Sequence, residues 1–204
     1  MKVALVGASG NAGSELLKEL VSRGHSVTAI ARDTSKIAAA KNVKIESVDA
    51  NDKSALADAL KGNDVVISAL PFSKSDPELL LAAIKAAAVP RYLVVGGAAS
   101  LYAPGTTQRL VDSGQIPEEW MPEVGGGVRF FDRLKQEGEL NWTFLSPSMM
   151  FVPGDRTGTF RLGKDELLVA PDGNSSISFA DYAIAMVDEL EQPAHSRQRF
   201  TVGY

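Results

Sequence analysis

Three glycines at intervals of three residues, Gly7, Gly10 and Gly13, follow the first apolar run of the chain. That run covers residues 3–6 and a helical pattern begins at residue 11, so the glycines fill the turn of a strand-turn-helix unit. Gly7 allows a sharp turn, Gly10 allows a pyrophosphate to approach the backbone, and Gly13 allows the helix to pack near the strand. The positive end of the helix then faces the phosphate. The spacing predicts a dinucleotide site, with a tight turn without ligand as the alternative; the residues assigned to it are Gly7, Ser9, Gly10, Asn11, Ala12 and Gly13.

Apolar runs recur along the chain at regular intervals, with helix-patterned segments between the first four and again before the fifth. Parallel strands need crossover connections, so this alternation predicts an α/β protein with a Rossmann-type, doubly wound parallel sheet. Caps mark three of the predicted helices: Asp33 before residues 34–39, Asp52 before residues 54–60, and Asp76-Pro77 before residues 78–87. The predicted strands are residues 3–6, 27–31, 43–48, 65–70 and 92–95.

The second half of the chain is less regular. Glycine and proline are frequent between residues 96 and 127, a pattern typical of loops flanking a helix. A helix over 130–136 and a strand over 142–145 follow, and from residue 146 we expect a small substrate cap before a short strand near 177–181, a helix over 182–190 and a strand over 199–202. The prediction is one NAD(P)-binding domain over 1–204, with a Rossmann core over 1–145 and the cap with the final helix and strand over 146–204.

Composition excludes several classes of function. A formal net charge of -4 gives no broad positive field for nucleic acid or an anionic membrane, and the longest apolar run is too short to span a bilayer. The chain has no cysteine, which excludes disulfides and thiolate sites and fits the cytoplasm. His25 and His195 do not suggest a metal site. We expect a small-molecule partner, and a homodimer stays open.

Arg32 stands at the end of the second predicted strand, where NAD-selective proteins place an acid that binds the ribose 2′-hydroxyl. Arginine there favours a 2′-phosphate, so NADP is preferred and NAD is the alternative, with Asp33 as its acid. Asp49 follows the third strand and is predicted either to reach the adenine or to form a turn. Ala69, Leu70 and Pro71 end the fourth run, where the backbone passes the nicotinamide ribose.

The chain resembles the atypical short-chain dehydrogenase/reductases, in particular the putative NADH-flavin reductase group related to biliverdin reductase B. The resemblance rests on five stretches over nearly the whole chain: Gly7-Ala-Ser-Gly10, Gly24-His25-Ser-Val-Thr28 with Arg32, Val95-Gly-Gly97 with Ser100, Pro153-Gly-Asp-Arg156-Thr-Gly158 with Arg161, and Arg199-Phe-Thr-Val-Gly-Tyr204. It implies an NAD(P)H-binding fold and a flavin or related acceptor, and Gly96 and Gly97 complete the expected cofactor set.

The wider superfamily uses a Tyr-x-x-x-Lys pair for proton transfer, and this chain has none: the residues four after Tyr92, Tyr102 and Tyr182 are Gly96, Thr106 and Met186. Hydride transfer to a flavin such as FMN, a quinone or a tetrapyrrole demands less, because the acceptor delocalises the charge and positioning dominates. Hydroxyl groups assigned to the catalytic site are those of Ser100, Tyr102 and Ser148.

Loop side chains are candidates to hold a flat acceptor, although core packing explains each of them as well: Phe72, Tyr102, Trp120, Met149, Met150 and Phe151. Arg129, Arg133 and Arg156 are candidates to meet an acceptor phosphate, with surface charge as the favoured alternative. The leading hypothesis is an NADPH-dependent oxidoreductase with a planar acceptor. The alternative is a non-enzymatic redox sensor resembling the NmrA-like regulators, which bind the dinucleotide and respond through a protein partner. An epimerase-like or dehydratase-like sugar-nucleotide enzyme ranks last, because the chain is short for the usual substrate domain and lacks the catalytic pair.

Overall fold

The computed structural model describes residues 1–114 and 116–204. Among these residues the structure has ten strands and five α-helices. The strands are β1 Lys2–Val6, β2 Ser26–Ala31, β3 Val43–Ser47, β4 Val65–Ser68, β5 Arg91–Val95, β6 Asn141–Pro147, β7 Met150–Val152, β8 Arg161–Gly163, β9 Ser176–Ser178 and β10 Gln198–Gly203. The helices are α1 Asn11–Ser22, α2 Lys53–Leu60, α3 Pro77–Ala86, α4 Met121–Leu134 and α5 Phe179–Glu191.

Eight strands form the central sheet in the order β3-β2-β1-β4-β5-β6-β10-β8. Its strand pairs are parallel except for β10 and β8, which are antiparallel. The order reverses between β1 and β4, and the carboxyl ends of the strands at such a point form the crevice that binds ligands in open α/β sheets. The predicted Rossmann-type fold is confirmed.

Helices cover both faces of the sheet because its strands are apolar on both sides. On one face α1 and α5 pack together, and Leu16, Leu20 and Met186 are fully buried there. On the other face α2, α3 and α4 form a second core that includes Leu56 and Phe130. Each buried leucine or phenylalanine contributes about 1.5–3 kcal/mol, so these two layers hold the sheet rigid beneath its loops.

Helix caps form as the sequence predicts. Asp52 accepts hydrogen bonds from the amides of Ser54 and Ala55 at 3.0 Å each, and Asp76 accepts one from the amide of Glu78 at 2.9 Å. Such caps satisfy amides that have no partner inside the helix. The observed bounds of α1, α2 and α3 agree with the predicted helices to within one residue.

The helix predicted over residues 34–39 is wrong. Asp33 accepts a hydrogen bond from the amide of Ser35 at 3.0 Å, and the amide of Ile37 donates to the carbonyl of Thr34, so the segment forms turns. Of residues 34–39 only Ile37 is buried. A short helix needs an apolar stripe against the core for its stability, and one buried side chain does not provide it.

Helix α4 begins at Met121, nine residues before the predicted start at residue 130. Three consecutive glycines, Gly125, Gly126 and Gly127, made the segment look like a loop. In the structure Gly126 and Gly127 lie against Phe72: an added Cβ would stand 3.0 Å from Phe72 atoms at either position. The glycines therefore serve close packing, and the buried stripe of α4 overrides their low helix propensity.

The C-terminal part both extends the main sheet and builds a smaller one. β10 pairs with β6 in the main sheet, while β7 and β9 form a separate two-stranded parallel sheet. The final helix α5 begins at Phe179, and the hydroxyl of its N-cap residue Ser178 accepts a hydrogen bond from the amide of Asp181 at 2.9 Å. None of the helices in the described part of the chain has the length and apolar character that crossing a bilayer requires.

Candidate functional site

The glycine turn packs tightly between β1, β2 and β4. Gly7 has a φ of +89°, and a Cβ there would stand 2.4 Å from the carbonyl oxygen of Ala69. A Cβ on Gly13 would stand 2.1 Å from the carbonyl oxygen of Gly7. Only glycine fits these two positions, since contacts this short force the backbone apart. The turn brings the start of α1 to the carboxyl edge of the sheet.

The N-terminus of α1 is open to a ligand. Gly10 is its N-cap, exposed and without a side chain to satisfy the first amides, and no acidic residue occupies the first turn. The first bond of the helix runs from the amide of Ser14 to the carbonyl of Gly10, so the amides of Asn11, Ala12 and Gly13 precede the helical ladder. Uncapped amides and the positive helix end together form an anion site.

A cavity of about 520 Å³ opens beside this turn, above the ends of β1, β2 and β4. Its volume lies within the usual range for small-molecule sites. Eight of the predicted cofactor residues line it: Gly7, Ser9, Gly10, Arg32, Asp49, Ala69, Leu70 and Pro71. Asn11, Ala12 and Gly13 are not lining residues and stand in the first turn of α1.

Positively and negatively charged side chains both line this cavity. Arg32 is exposed, and among the described residues no ion pair restrains its guanidinium. The Asp33 carboxylate is held by Ser35, whose hydrogen bonds lower its pKa. Lys74, which sequence reasoning missed, lines the same cavity because a helical turn over Phe72–Lys74 folds across its edge. Arg32 and Lys74 thus place two cations in the lining of this cavity.

The Asp49 carboxylate is used within its own loop. Its Oδ1 accepts hydrogen bonds from the amide of Asn51 at 2.9 Å and from the Asn51 side chain at 3.2 Å. The sequence left two alternatives for Asp49, contact with the adenine or a turn, and these hydrogen bonds form the turn. The residue still lines the cavity.

A second cavity, of about 690 Å³, lies past the end of β4. Pro71 lines the first cavity and the next residue, Phe72, lines the second, so consecutive residues of the chain belong to the two walls. The wall is mainly apolar. Eight of the residues predicted from the sequence line this cavity: Phe72, Gly96, Gly97, Ser100, Trp120, Ser148, Met149 and Phe151.

Two buried serines differ in what their hydroxyls can still do. The Ser100 Oγ accepts a hydrogen bond from Nη1 of Arg199 at 3.0 Å, which leaves its proton available to a ligand. The Ser148 Oγ donates to the carbonyl of Val202 at 3.1 Å, so its proton is already used. Of the two, Ser100 is the hydroxyl able to donate into the cavity.

Tyr102 and Met150 are not among the residues that line the second cavity. The backbone of Tyr102 instead joins two loops: its amide donates to the carbonyl of Asp165 at 2.8 Å, and the amide of Leu167 donates to its carbonyl at 2.9 Å. The structure therefore brings Ser100 and Ser148 together at the cavity and leaves Tyr102 outside it.

Tyr182 is a residue of the site that sequence reasoning used only to exclude a catalytic pair. It is fully buried, its hydroxyl donates to the carbonyl of Leu145 at 2.7 Å and it accepts from the amide of Gly96 at 3.3 Å. Burial raises its pKa well above the usual range for tyrosine. The phenol therefore stays protonated. The Gly96 amide also donates to the Leu145 carbonyl at 2.8 Å, so β6 and Tyr182 together hold Gly96 at the wall of the second cavity.

The arginines considered for an acceptor phosphate lie elsewhere. Arg133 forms an ion pair with Glu78, and Arg129 lines neither cavity. Arg156 donates two hydrogen bonds of 2.9 Å to the buried carboxylate of Glu19, and this pairing lowers the Glu19 pKa. Arg156 thereby fastens its loop to α1, and surface charge or structural pairing explains these residues.

Both histidines also have structural partners. His25 Nε2 lies 2.9 Å from Glu191, and His195 Nδ1 lies 2.7 Å from Glu189. Within residues 1–114 and 116–204, no three His, Asp or Glu side chains are grouped so that they could hold a metal ion.

Comparison with known proteins agrees with this geometry. The NAD(P)H-binding family matches residues 7–193, which includes the glycine turn and both cavities. The chain belongs to this family. A curated family relative, the uncharacterized protein YwnB of Bacillus subtilis, is 42% identical and aligns over 99% of this chain and 98% of its own length.

Two solved structures are similar over the full length of the chain. One is from Bacteroides thetaiotaomicron and is described as a putative epimerase, with 43% identity, a TM-score of 0.93 and coverage of 100% of this chain and 96% of that one. The other is from Streptococcus pneumoniae and is described as a putative NADH-flavin reductase, with 38% identity, a TM-score of 0.87 and coverage of 100% and 99%. The resemblance to an NADH-flavin reductase group, stated from the sequence, is confirmed.

Proposed function

We propose that this chain is an NAD(P)H-dependent oxidoreductase that passes a hydride to a flavin or a similar planar acceptor. The observation that carries the proposal is the second, mainly apolar cavity, which begins one residue beyond the cavity that holds the glycine turn. Apolar walls with few polar groups suit a flat ring system. NADPH, when bound, supplies the hydride.

Residues of the first cavity fit the separate parts of a bound NADPH. Gly10 and the first amides of α1 hold the pyrophosphate, since this helix end is exposed and uncapped. Arg32, with Lys74 nearby, holds the 2′-phosphate, so NADPH is preferred over NADH. Ala69, Leu70 and Pro71 lead the cofactor towards Gly96 and Gly97, where the nicotinamide meets the second cavity. The whole chain acts as one NAD(P)-binding domain.

The acceptor half depends on positioning. Ser100 can donate a hydrogen bond to a ring carbonyl or nitrogen, because its hydroxyl accepts one from Arg199 and its own proton is not used there. The buried tyrosines cannot do so: Tyr92 shares a hydrogen bond of 2.7 Å with Ser68, and burial raises its pKa as it does that of Tyr182. A delocalised acceptor needs only orientation against the nicotinamide, a hydrogen bond from Ser100 and a proton from water.

Two relatives bear on the class of acceptor. The S. pneumoniae protein, 38% identical, is described as a putative NADH-flavin reductase, which supports a flavin-like acceptor. The B. thetaiotaomicron protein is described as a putative epimerase. The sensor hypothesis needs no acceptor space, so the second cavity favours the reductase over it.

The test is anaerobic stopped-flow mixing of protein and NADPH with riboflavin, FMN, quinones or biliverdin, following nicotinamide absorbance. We expect saturable oxidation with at least one acceptor. Arg32→Ala should weaken NADPH use about tenfold or more, the loss of a charge-assisted pair, and leave NADH use nearly unchanged. Tight NADPH binding with no oxidation by any acceptor would refute the reductase and favour the sensor.

A further inference from the structure

The second cavity has almost no charge on its wall. Among its described lining residues the single charged side chain is Glu123, and no lysine or arginine is present. The Glu123 carboxylate accepts hydrogen bonds from the amides of Phe72 at 2.8 Å and Ser73 at 2.9 Å, and from the Ser73 hydroxyl at 2.6 Å. These bonds fix a negative charge at the mouth of the cavity.

Two arginines near this wall, Arg109 and Arg199, are paired with carboxylates. Arg109 lies 3.1 Å from Asp112 and 3.2 Å from Asp132. Arg199 donates a hydrogen bond to the Ser100 hydroxyl, but its guanidinium is buried and its Nη2 lies 2.6 Å from the carboxylate of Asp165. Among the described lining residues, a ligand anion in the cavity would therefore find no cation.

An acceptor that carries a phosphate or carboxylates would lose its hydration on entering this space and receive no compensating charge. Burying an anion without a partner is costly, whereas an uncharged ring system loses little. The polar groups that remain are matched to a neutral ring: the Ser100 hydroxyl can donate, and aromatic side chains such as Phe72 and Trp120 offer flat surfaces.

We propose that the second cavity selects an uncharged planar acceptor, a dephosphorylated flavin or a quinone, and discriminates against FMN and against tetrapyrroles with propionate groups. The proposal rests on the proposed function in taking this cavity as the acceptor site. It differs from the sequence expectation, which included FMN among the acceptors.

The test measures binding without turnover. Equilibrium dialysis of the protein saturated with NADP⁺ against riboflavin and against FMN gives two dissociation constants. We expect riboflavin to bind at least tenfold more tightly than FMN. Equal affinity, tighter binding of FMN, or no binding of riboflavin would overturn the proposal.

A charge added at the mouth of the cavity provides a gain-of-function control. Gln108 is exposed there, and its side chain donates only to the carbonyl of Asp112 at 3.1 Å. Gln108→Arg should raise the FMN affinity relative to riboflavin at least tenfold, whereas Gln108→Met, neutral and of similar length, should not change that ratio. An unchanged ratio in Gln108→Arg would overturn the charge argument. If riboflavin binds selectively but no acceptor oxidises NADPH, the proposed reaction fails while the selectivity of the cavity stands.

Discussion

Alanine at Gly10 and at Gly13 should separate cofactor binding from folding. At Gly13 the new Cβ would stand 2.1 Å from the carbonyl oxygen of Gly7, more than 1 Å inside an ordinary contact. The helix must move away from the strand, and overpacking of this kind costs about 1–3 kcal/mol. For a chain of this size that loss lowers Tm by roughly 2–12 °C.

At Gly10 the same substitution fits the protein itself. Its Cβ would lie 3.4 Å from the Gly7 carbonyl oxygen, an ordinary contact, and its φ of -79° suits any residue. Stability should change by no more than about 0.5 kcal/mol. The methyl group would, however, occupy the exposed surface where the pyrophosphate lies. Losing one charge-assisted hydrogen bond of about 1.5–3 kcal/mol raises the NADPH Kd roughly 10- to 100-fold.

Urea unfolding of the cofactor-free protein and calorimetric titration with NADPH measure the two effects. Gly138→Ala is the matched control, because an added Cβ there meets nothing within 4 Å. A Gly10→Ala protein that binds NADPH like the wild type would place the pyrophosphate elsewhere. If Gly10→Ala destabilises the protein as much as Gly13→Ala, the contact geometry of the turn is wrong.

Three further predictions concern the supports of the site. The hydrogen bond from Arg156 lowers the pKa of Glu19 from 4.5, so the stability that the Glu19 carboxylate contributes is complete above pH 4.5 and is lost as the pH falls through the lowered value. Glu19→Gln should therefore cost about 1–3 kcal/mol in urea unfolding at pH 7. A difference in stability between variant and wild type that does not narrow in acid would contradict this. Tyr182→Phe removes the hydrogen bonds of a buried hydroxyl, while the Gly96 amide still donates to the Leu145 carbonyl at 2.8 Å. The variant should lose about 0.5–1.5 kcal/mol of stability in urea unfolding, and a larger loss would contradict this assignment. Gly126→Ala places a Cβ 3.0 Å from Phe72 and should cost about 1–3 kcal/mol in urea unfolding; a variant as stable as the wild type would show that the contact with Phe72 does not restrict this position.

The first half of the fold could be predicted because local signals there agree with long-range packing. Strand β1, the glycine turn and α1 follow from one stretch of sequence, and Asp52 and Asp76 mark helix starts by hydrogen bonds to amides two or three residues away. The segment after Asp33 misled the prediction because capping signals do not report whether the following residues reach the core.

The second half depends on contacts between distant residues. The glycines of α4 look like a loop until Phe72, more than fifty residues earlier, is placed beside them. Lys74 reaches the cofactor cavity only because Glu123 accepts hydrogen bonds from the two amides that precede it. The partner of Arg156 is Glu19, which is 137 residues away, so its structural role could not be read from its neighbours.

The pairing of β10 with β6 and of α5 with α1 has a consequence for how the chain folds. The apolar side of α1 is covered by α5 only after about 150 further residues have been made, and the last parallel strand enters the sheet later still. Parallel pairing and long loops slow folding, because closure entropy is lost before the contacts form. During synthesis the growing chain therefore exposes a leucine-rich helix face and the open side of β6. We expect this interval, rather than the finished protein, to be the stage at which chaperones are needed.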